Sequence, residues 1–243
     1  MEKSEYIAHW RSNLEALHAA VVPADLDVPV PSCPEWTLRE LVAHMDTVCR
    51  RYALRITSAE PPQEQPSDAT DDPDPRPALV ESGRILTEAL TAADPDTPAW
   101  NWAPQPDEAR FWLRRAACEA AIHRWDAQMA VGATEPVAAA VAVEGVSEVL
   151  DSFIPADRRA SREEVAGLLH LFASDVEEEW YVRWRDAKYT LVSPDDVDLP
   201  GQPVQARAVG PASDLFLALW GRVPFNVLDC EGDPELLEAI RAR

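Results

Sequence analysis

Glu119 and His123 stand four positions apart in the stretch 111–126, and their types and spacing suit a metal site. The stretch contains neither Gly nor Pro, and its Ala, Leu, Arg and Glu content favours a helix. On a helix, a carboxylate and an imidazole at positions i and i+4 project from one face and can converge on one point. Taken alone, such a pair is more often a surface ion pair than half of a metal site.

The same helical face carries other polar groups. A stripe roughly 80° wide at about 100° per residue holds Trp112, Arg115, Glu119, His123 and Asp126. Charged groups on an inward face are costly unless they are paired or bind an ion. We therefore predict that Glu119 and His123 are two ligands of a divalent metal. For Asp126 two roles are open, orienting a ligand or forming a helix ion pair with Arg115, and we favour the ion pair.

His44 is the candidate third ligand. Thr37 and Glu40 form the pattern of a capping box, which marks the start of a helix. On that helix His44 shares a face with Leu41 and Val48, so we expect its side chain to point inward. A single inward histidine is usually a core residue satisfied by a hydrogen bond. Together with an inward Glu and His from another helix, however, it completes a ligand set that zinc, nickel or iron accepts.

The first 155 residues carry only helical patterns. We predict helices near residues 4–22, 37–56, 78–93, 107–131 and 136–153, the last packed on the preceding four. The Pro- and Asp-rich stretch 60–77 is expected to be a long mobile loop. The irregular stretch 94–106 holds Trp100 and Trp102, which either line a pocket mouth or cover the core. Polar groups on facing helices are the usual way in which helix bundles build metal sites.

After Pro155 the pattern of apolar residues changes from helical spacing to short runs typical of strands. We predict short strands at residues 166–172, 180–185, 189–192, 204–209 and 225–229, with helices at 213–220 and 233–241. The fold class is therefore α+β with two domains, 1–155 and 163–243, and a boundary near 155–163.

Composition excludes several classes of function. The net charge of −21 argues against nucleic acid or an anionic membrane as a partner, because phosphate binding needs clustered Lys and Arg. The four cysteines contain no CxxC pair and do not suggest a disulfide framework or a zinc knuckle. The sequence shows neither an apolar leader nor an apolar run long enough to span a membrane, so we expect a cytoplasmic protein. We expect it to be a monomer or a homodimer.

Five segments resemble, in chain order, the mycothiol-dependent maleylpyruvate isomerase family. They are CPEWTLRELVAHM (33–45), RRAACEAAIHRWDAQMA (114–130), LLHLFASDVEEEW (168–180) and GPASDLFLALWGRVP with GDPELL (210–224 and 232–237). The resemblance implies a DinB-like four-helix bundle that holds a divalent metal, usually zinc, through His, Glu and His. The matching positions are His44, Glu119 and His123.

The resemblance also implies a smaller C-terminal α/β domain similar to sterol-carrier folds, with a catalytic arginine. Arg222, in LWGRVP, is the matching candidate. Where the family often has a histidine before its Glu, this chain has Cys118, which lies about 100° around the helix and should not ligate the same ion. We expect no reactive-thiol role for Cys118 either, because no base or cation beyond Arg114 and Arg115 is near it in sequence.

The function implied is that of a metal-dependent enzyme with mycothiol or a related thiol as cofactor or co-substrate. It would isomerise a small unsaturated acid such as maleylpyruvate, or act as an S-transferase. Two alternatives stay open: a non-catalytic metal- or ligand-binding module, and a metal hydrolase with water in place of the thiol.

Overall fold

Helices form the first part of the chain, and a sheet with helices forms the second. The structure, a computed structural model, describes residues 1–62, 72–156, 165–185, 188–193 and 203–242. Two compact units divide the chain, Met1–Pro136 and Val137–Arg243. The predicted α+β class with two domains is confirmed.

Four helices run through the described part of the first unit: α1 (Lys3–Val21), α2 (Leu38–Arg55), α3 (Arg76–Ala92) and α4 (Ala109–Ala130). Helix α1 packs mainly against α4, and α2 packs mainly against α3. The predicted capping box is present, with Thr37 and Glu40 bonding each other's backbone at the start of α2. The apolar faces of all four helices share one core. Of the predicted loop at 60–77, residues 63–71 lie outside the described part.

The second unit begins with α5 (Ala139–Glu148), which continues through a π-helical turn (Val149–Phe153) into α6 (Ile154–Ala156). Helix α5, which was predicted to pack on the first four helices, belongs to the second unit and packs mainly against α7 (Ala212–Leu219). Gly145 allows this contact, since a Cβ there would lie 2.2 Å from the Phe216 ring. The chain therefore divides after Pro136, earlier than the boundary predicted near 155–163, of which residues 157–163 are not described.

A mixed five-stranded sheet fills the rest of the second unit. Its strands are β1 (Gly167–Ala173), β2 (Glu178–Arg185), β3 (Lys188–Val192), β4 (Ala206–Gly210) and β5 (Asp229–Gly232), in the order β3-β2-β1-β4-β5. Only the β1–β4 pair is parallel among these strands. Helix α8 (Pro234–Ala239) follows β5.

The strand predicted at residues 225–229 is wrong over most of its length. Phe225–Val227 is a 3₁₀ turn, in which Val227 N donates to Pro224 O and Leu228 N donates to Phe225 O. Alternating apolar residues suggested a strand, but Val227 is 48% exposed, and the buried residues are Phe225 and Leu228. Strand pairing starts at Asp229, opposite Val209.

No helix among the described residues is both long enough and apolar enough to cross a membrane.

Candidate metal centre

The structure brings together the three side chains that were predicted as metal ligands. His44 projects from α2, and Glu119 and His123 project from α4; their donor atoms all lie within 4.8 Å of one another. Glu119 Oε1 is 3.4 Å from His44 Nε2 and 3.5 Å from His123 Nε2. The two imidazole rings meet edge to face, with centroids 4.9 Å apart. Their role as ligands stays a prediction.

The two carboxylate oxygens of Glu119 have different partners. Oε1 faces the two histidines, whereas Oε2 forms a short ion pair with Arg115, which is only 1% exposed. Burial by itself would raise the pKa of Glu119, but the Arg115 guanidinium and the hydrogen bonds of His123 and His44 hold that pKa well below its usual range. Glu119 is therefore a carboxylate that offers one oxygen to the centre.

Asp126 fixes the other side of His123. Its Oδ2 lies 3.0 Å from His123 Nδ1, and the carboxylate is 0% exposed. The favoured ion pair with Arg115 is wrong: the two residues lie about three helical turns, roughly 16 Å, apart along α4, and Arg115 pairs with Glu119 instead. Burial would lower the pKa of His123, but hydrogen bonds to Asp126 and Glu119 raise it.

The connection between α1 and α2 supplies further contacts that the sequence did not reveal. Ser32 Oγ donates to Asp126 Oδ1 at 2.6 Å, and Cys33 Sγ donates to Oδ2 at 3.6 Å. The indole of Trp36 lies 4.8 Å from the His44 ring and 6.0 Å from the His123 ring, centroid to centroid. The position of Trp36 directly before the capping box was the one available signal; nothing local marked Ser32.

The donor set fits a divalent cation. Two imidazole nitrogens and one carboxylate oxygen form the three-ligand set of catalytic zinc sites, which leaves a coordination position open. Because Nδ1 of His123 is hydrogen-bonded to Asp126, Nε2 of His123 is the nitrogen available to a metal. Hydrogen-bonded carboxylates beside ligating histidines are the usual support of such centres.

The cysteines stay outside this donor set. Cys118 is fully buried, and the absence of a reactive role for it stays a prediction. Burial raises the pKa of Cys49 to about 12, so this thiol remains protonated.

Arg222, the predicted catalytic arginine, belongs to the second unit and follows α7. Its Nη1 donates to Trp220 O at 3.0 Å, and its backbone N–H donates to Leu217 O. The half-buried Arg222 side chain is thereby attached to the end of α7. Its catalytic role stays a prediction.

Trp100 and Trp102 lie in the connection before α4 and contact residues of α2 and α4. Trp112 Nε1 donates to Trp100 O at 3.0 Å, and the Trp102 ring meets Phe111 edge to face at 5.6 Å. The Arg55 guanidinium lies 5.9 Å from the Trp100 ring centroid. Trp102 is 37% exposed, and both predicted roles stay predictions.

Two family models match the chain. The model described as the mycothiol maleylpyruvate isomerase N-terminal domain matches residues 7–128, and the MDMPI C-terminal domain matches residues 140–239. Sequence comparison with curated proteins gives no match. Crystal structures of the mycothiol-dependent maleylpyruvate isomerase and of a histidine-to-alanine mutant of it are similar, each with a TM-score of 0.64 and 13% identity. Each alignment covers 95% of this chain and 93% of the solved chain, a likeness that shows a shared fold.

Proposed function

This chain belongs to the mycothiol-dependent maleylpyruvate isomerase family, and from that premise we propose that it is a metal- and thiol-dependent enzyme. The metal is a divalent cation, zinc by preference, and the thiol is mycothiol or a related small thiol. The reaction is cis–trans isomerisation of a small unsaturated acid such as maleylpyruvate, or transfer of the thiol to an electrophile. The observation that carries this proposal is the convergence of His44, Glu119 and His123 within 4.8 Å.

The helices α1–α4 correspond in this proposal to a DinB-type four-helix bundle, and the second unit to a sterol-carrier-like domain. A divalent cation held by the three ligands would lower the pKa of a bound thiol and so supply a thiolate at neutral pH. The protein holds the donors ready: Arg115 turns one oxygen of Glu119 toward the histidines, and Asp126 fixes the ring of His123. The indole of Trp36 lies beside both imidazoles.

When bound, the thiol would supply a nucleophilic thiolate. This thiolate would add reversibly to the conjugated double bond, so that rotation and elimination give the other isomer, or it would displace a leaving group and stay on the product; neither route needs an external oxidant or reductant.

Arg222 would bind the carboxylate of the substrate, since guanidinium and carboxylate pair through two parallel hydrogen bonds. Arg222→Lys keeps the charge but loses this paired geometry, and Arg222→Ala loses both. Both variants are expected to raise KM for an acidic substrate, Arg222→Ala more strongly, while zinc content stays unchanged. Loss of zinc from Arg222→Ala, or kinetic constants equal to those of the wild type, would remove Arg222 from this role.

Metal analysis tests the premise that the chain binds a divalent metal, which the isomerase, S-transferase and hydrolase functions have in common. Protein purified without chelators and supplied with zinc should carry about one zinc per chain, and His44→Ala should carry much less. Asp46→Ala is the matched control, because Asp46 lies on the same helix but pairs with Arg50 on its more exposed side. A wild-type protein without zinc would refute the metal centre.

Thiol titration of the zinc form then separates the reaction classes. Proton release on addition of mycothiol, measured by calorimetry in two buffers of different ionisation enthalpy, supports the thiol-dependent enzyme. Zinc binding without thiol binding contradicts it: ester or amide cleavage would then indicate a hydrolase, and no turnover a binding module.

A further inference from the structure

The carboxylate of Asp126 is completely buried and is held from two directions. On one side, Oδ2 lies 3.0 Å from Nδ1 of the His123 imidazole. On the other side, Oδ1 accepts a hydrogen bond from Ser32 Oγ at 2.6 Å, while Cys33 Sγ lies 3.6 Å from Oδ2. Ser32 is separated from Asp126 by 94 positions in sequence, so the contact joins the α1–α2 connection to the C-terminal part of α4.

The segment that carries Ser32 has a well-defined backbone. Val30 N donates to Trp36 O at 2.8 Å, Cys33 N donates to Val30 O at 3.0 Å, and Trp36 N donates to Cys33 O at 2.8 Å. A β-bridge between Pro29 and Thr37 closes the segment and connects it to the N-cap of α2. Ser32 thus lies in a short loop closed by backbone hydrogen bonds, which fix the position of its Cα and Cβ atoms.

We propose that Ser32 is a positioning residue of the metal centre, acting through Asp126 on the ring orientation of His123. The inference rests on the proposed metal-dependent function. The Ser32 hydroxyl holds Oδ1, which prevents the carboxylate from rotating about its Cβ–Cγ bond. Oδ2 is then kept in line with Nδ1, so that the proton of the neutral ring resides on Nδ1 and Nε2 is the nitrogen left to bind the metal. Orienting partners of this kind typically change metal affinity by about 10- to 100-fold.

A purely structural role for Ser32 makes a different prediction. If the hydroxyl only fastened the α1–α2 connection to α4, its loss would lower thermal stability without changing the affinity for zinc. A hydroxyl that acts through Asp126 must also show coupling to that residue, because two members of one hydrogen-bond chain do not contribute additively. The two roles therefore separate in a double-mutant cycle.

The test is the zinc affinity of the full-length protein, measured by competition with a chromophoric chelator. Ser32→Ala should weaken zinc binding by about 10-fold, Asp126→Asn by about 10- to 100-fold, and the double variant by no more than Asp126→Asn alone. Ser32→Thr keeps the hydroxyl and should restore near wild-type affinity. Ser82→Ala is the matched control, since Ser82 is a buried serine of the first unit whose hydroxyl donates to Leu79 O. Its zinc affinity should equal that of the wild type.

A second measurement does not depend on metal. Imidazole ¹⁵N spectra of the metal-free protein, recorded where the rings are neutral, should show His123 protonated on Nδ1 in the wild type and in Ser82→Ala. Ser32→Ala should show a mixture of both tautomers. Equal spectra for wild type and Ser32→Ala, or an undiminished effect of Ser32→Ala in the Asp126→Asn background, would overturn the inference while leaving the metal centre intact. Absence of zinc binding by the wild type, with the expected tautomer shift, would overturn the proposed function instead.

Discussion

Replacing Arg115 by Met leaves Glu119 as a buried carboxylate without its cation. Arg115 is 1% exposed and the Glu119 side chain 12% exposed, and removal of one partner of a buried ion pair typically costs about 3–5 kcal/mol. Because Glu119 keeps some exposure and its contacts to two histidines, we take about 2–4 kcal/mol for the metal-free protein. At about 3 °C per kcal/mol for a chain of this size, Tm should fall by about 6–12 °C.

Zinc should restore much of this loss, because a cation beside Oε1 compensates the same carboxylate charge. The assay is differential scanning calorimetry with and without zinc, and the fall in Tm caused by Arg115→Met should shrink by at least about half with zinc present. Arg124→Met is the matched control: Arg124 is also buried in α4, but its partners are Asn13, Gln128 and two backbone carbonyls. The fall in Tm caused by Arg124→Met should be the same with and without zinc. An Arg115→Met loss that zinc does not change would refute the charge argument.

Three further predictions concern the pH dependence of His123, the Trp36 side chain beside the two imidazoles, and the packing of Gly145 in the second unit. The raised pKa of His123 in the metal-free protein contributes stability that is fully present below about pH 6.5 and is lost as pH rises through that raised pKa. Zinc needs the neutral ring, so zinc affinity should rise with pH over the same range; competition titrations from about pH 6 to pH 9 check this, and a flat profile would contradict it. Trp36→Ala should retain zinc but weaken mycothiol binding by about 2- to 10-fold in calorimetry, the value of an aromatic contact, and an unchanged Kd would remove Trp36 from the thiol site. Gly145→Ala places a methyl group against Phe216 and should cost about 1–3 kcal/mol in thermal unfolding without altering zinc affinity, whereas unchanged stability would contradict that close packing.

Periodicity and capping were sufficient to predict the helices and the convergence of the three donors. Glu119 and His123 share a face of α4 by spacing alone, and the capping box at Thr37 set the register that turns His44 inward. These are local properties, which the chain encodes within a few residues.

The remaining features depend on contacts between distant segments. Ser32 reaches Asp126 across 94 positions, and no local pattern marks such a pair. The turn at Phe225 alternates like a strand, but whether its backbone pairs with β4 depends on the sheet and not on the side chains. The assignment of α5 to the second unit depends likewise on Gly145 meeting Phe216.

The most direct test of the central claim is the zinc K-edge absorption spectrum of the purified zinc protein, with and without mycothiol. Coordination by His44, Glu119 and His123 predicts a first shell of nitrogen and oxygen only, with two imidazole ligands. Addition of mycothiol should introduce one sulfur at about 2.3 Å. A sulfur already present without mycothiol, a shell lacking imidazole, or no change on addition of the thiol would contradict the account.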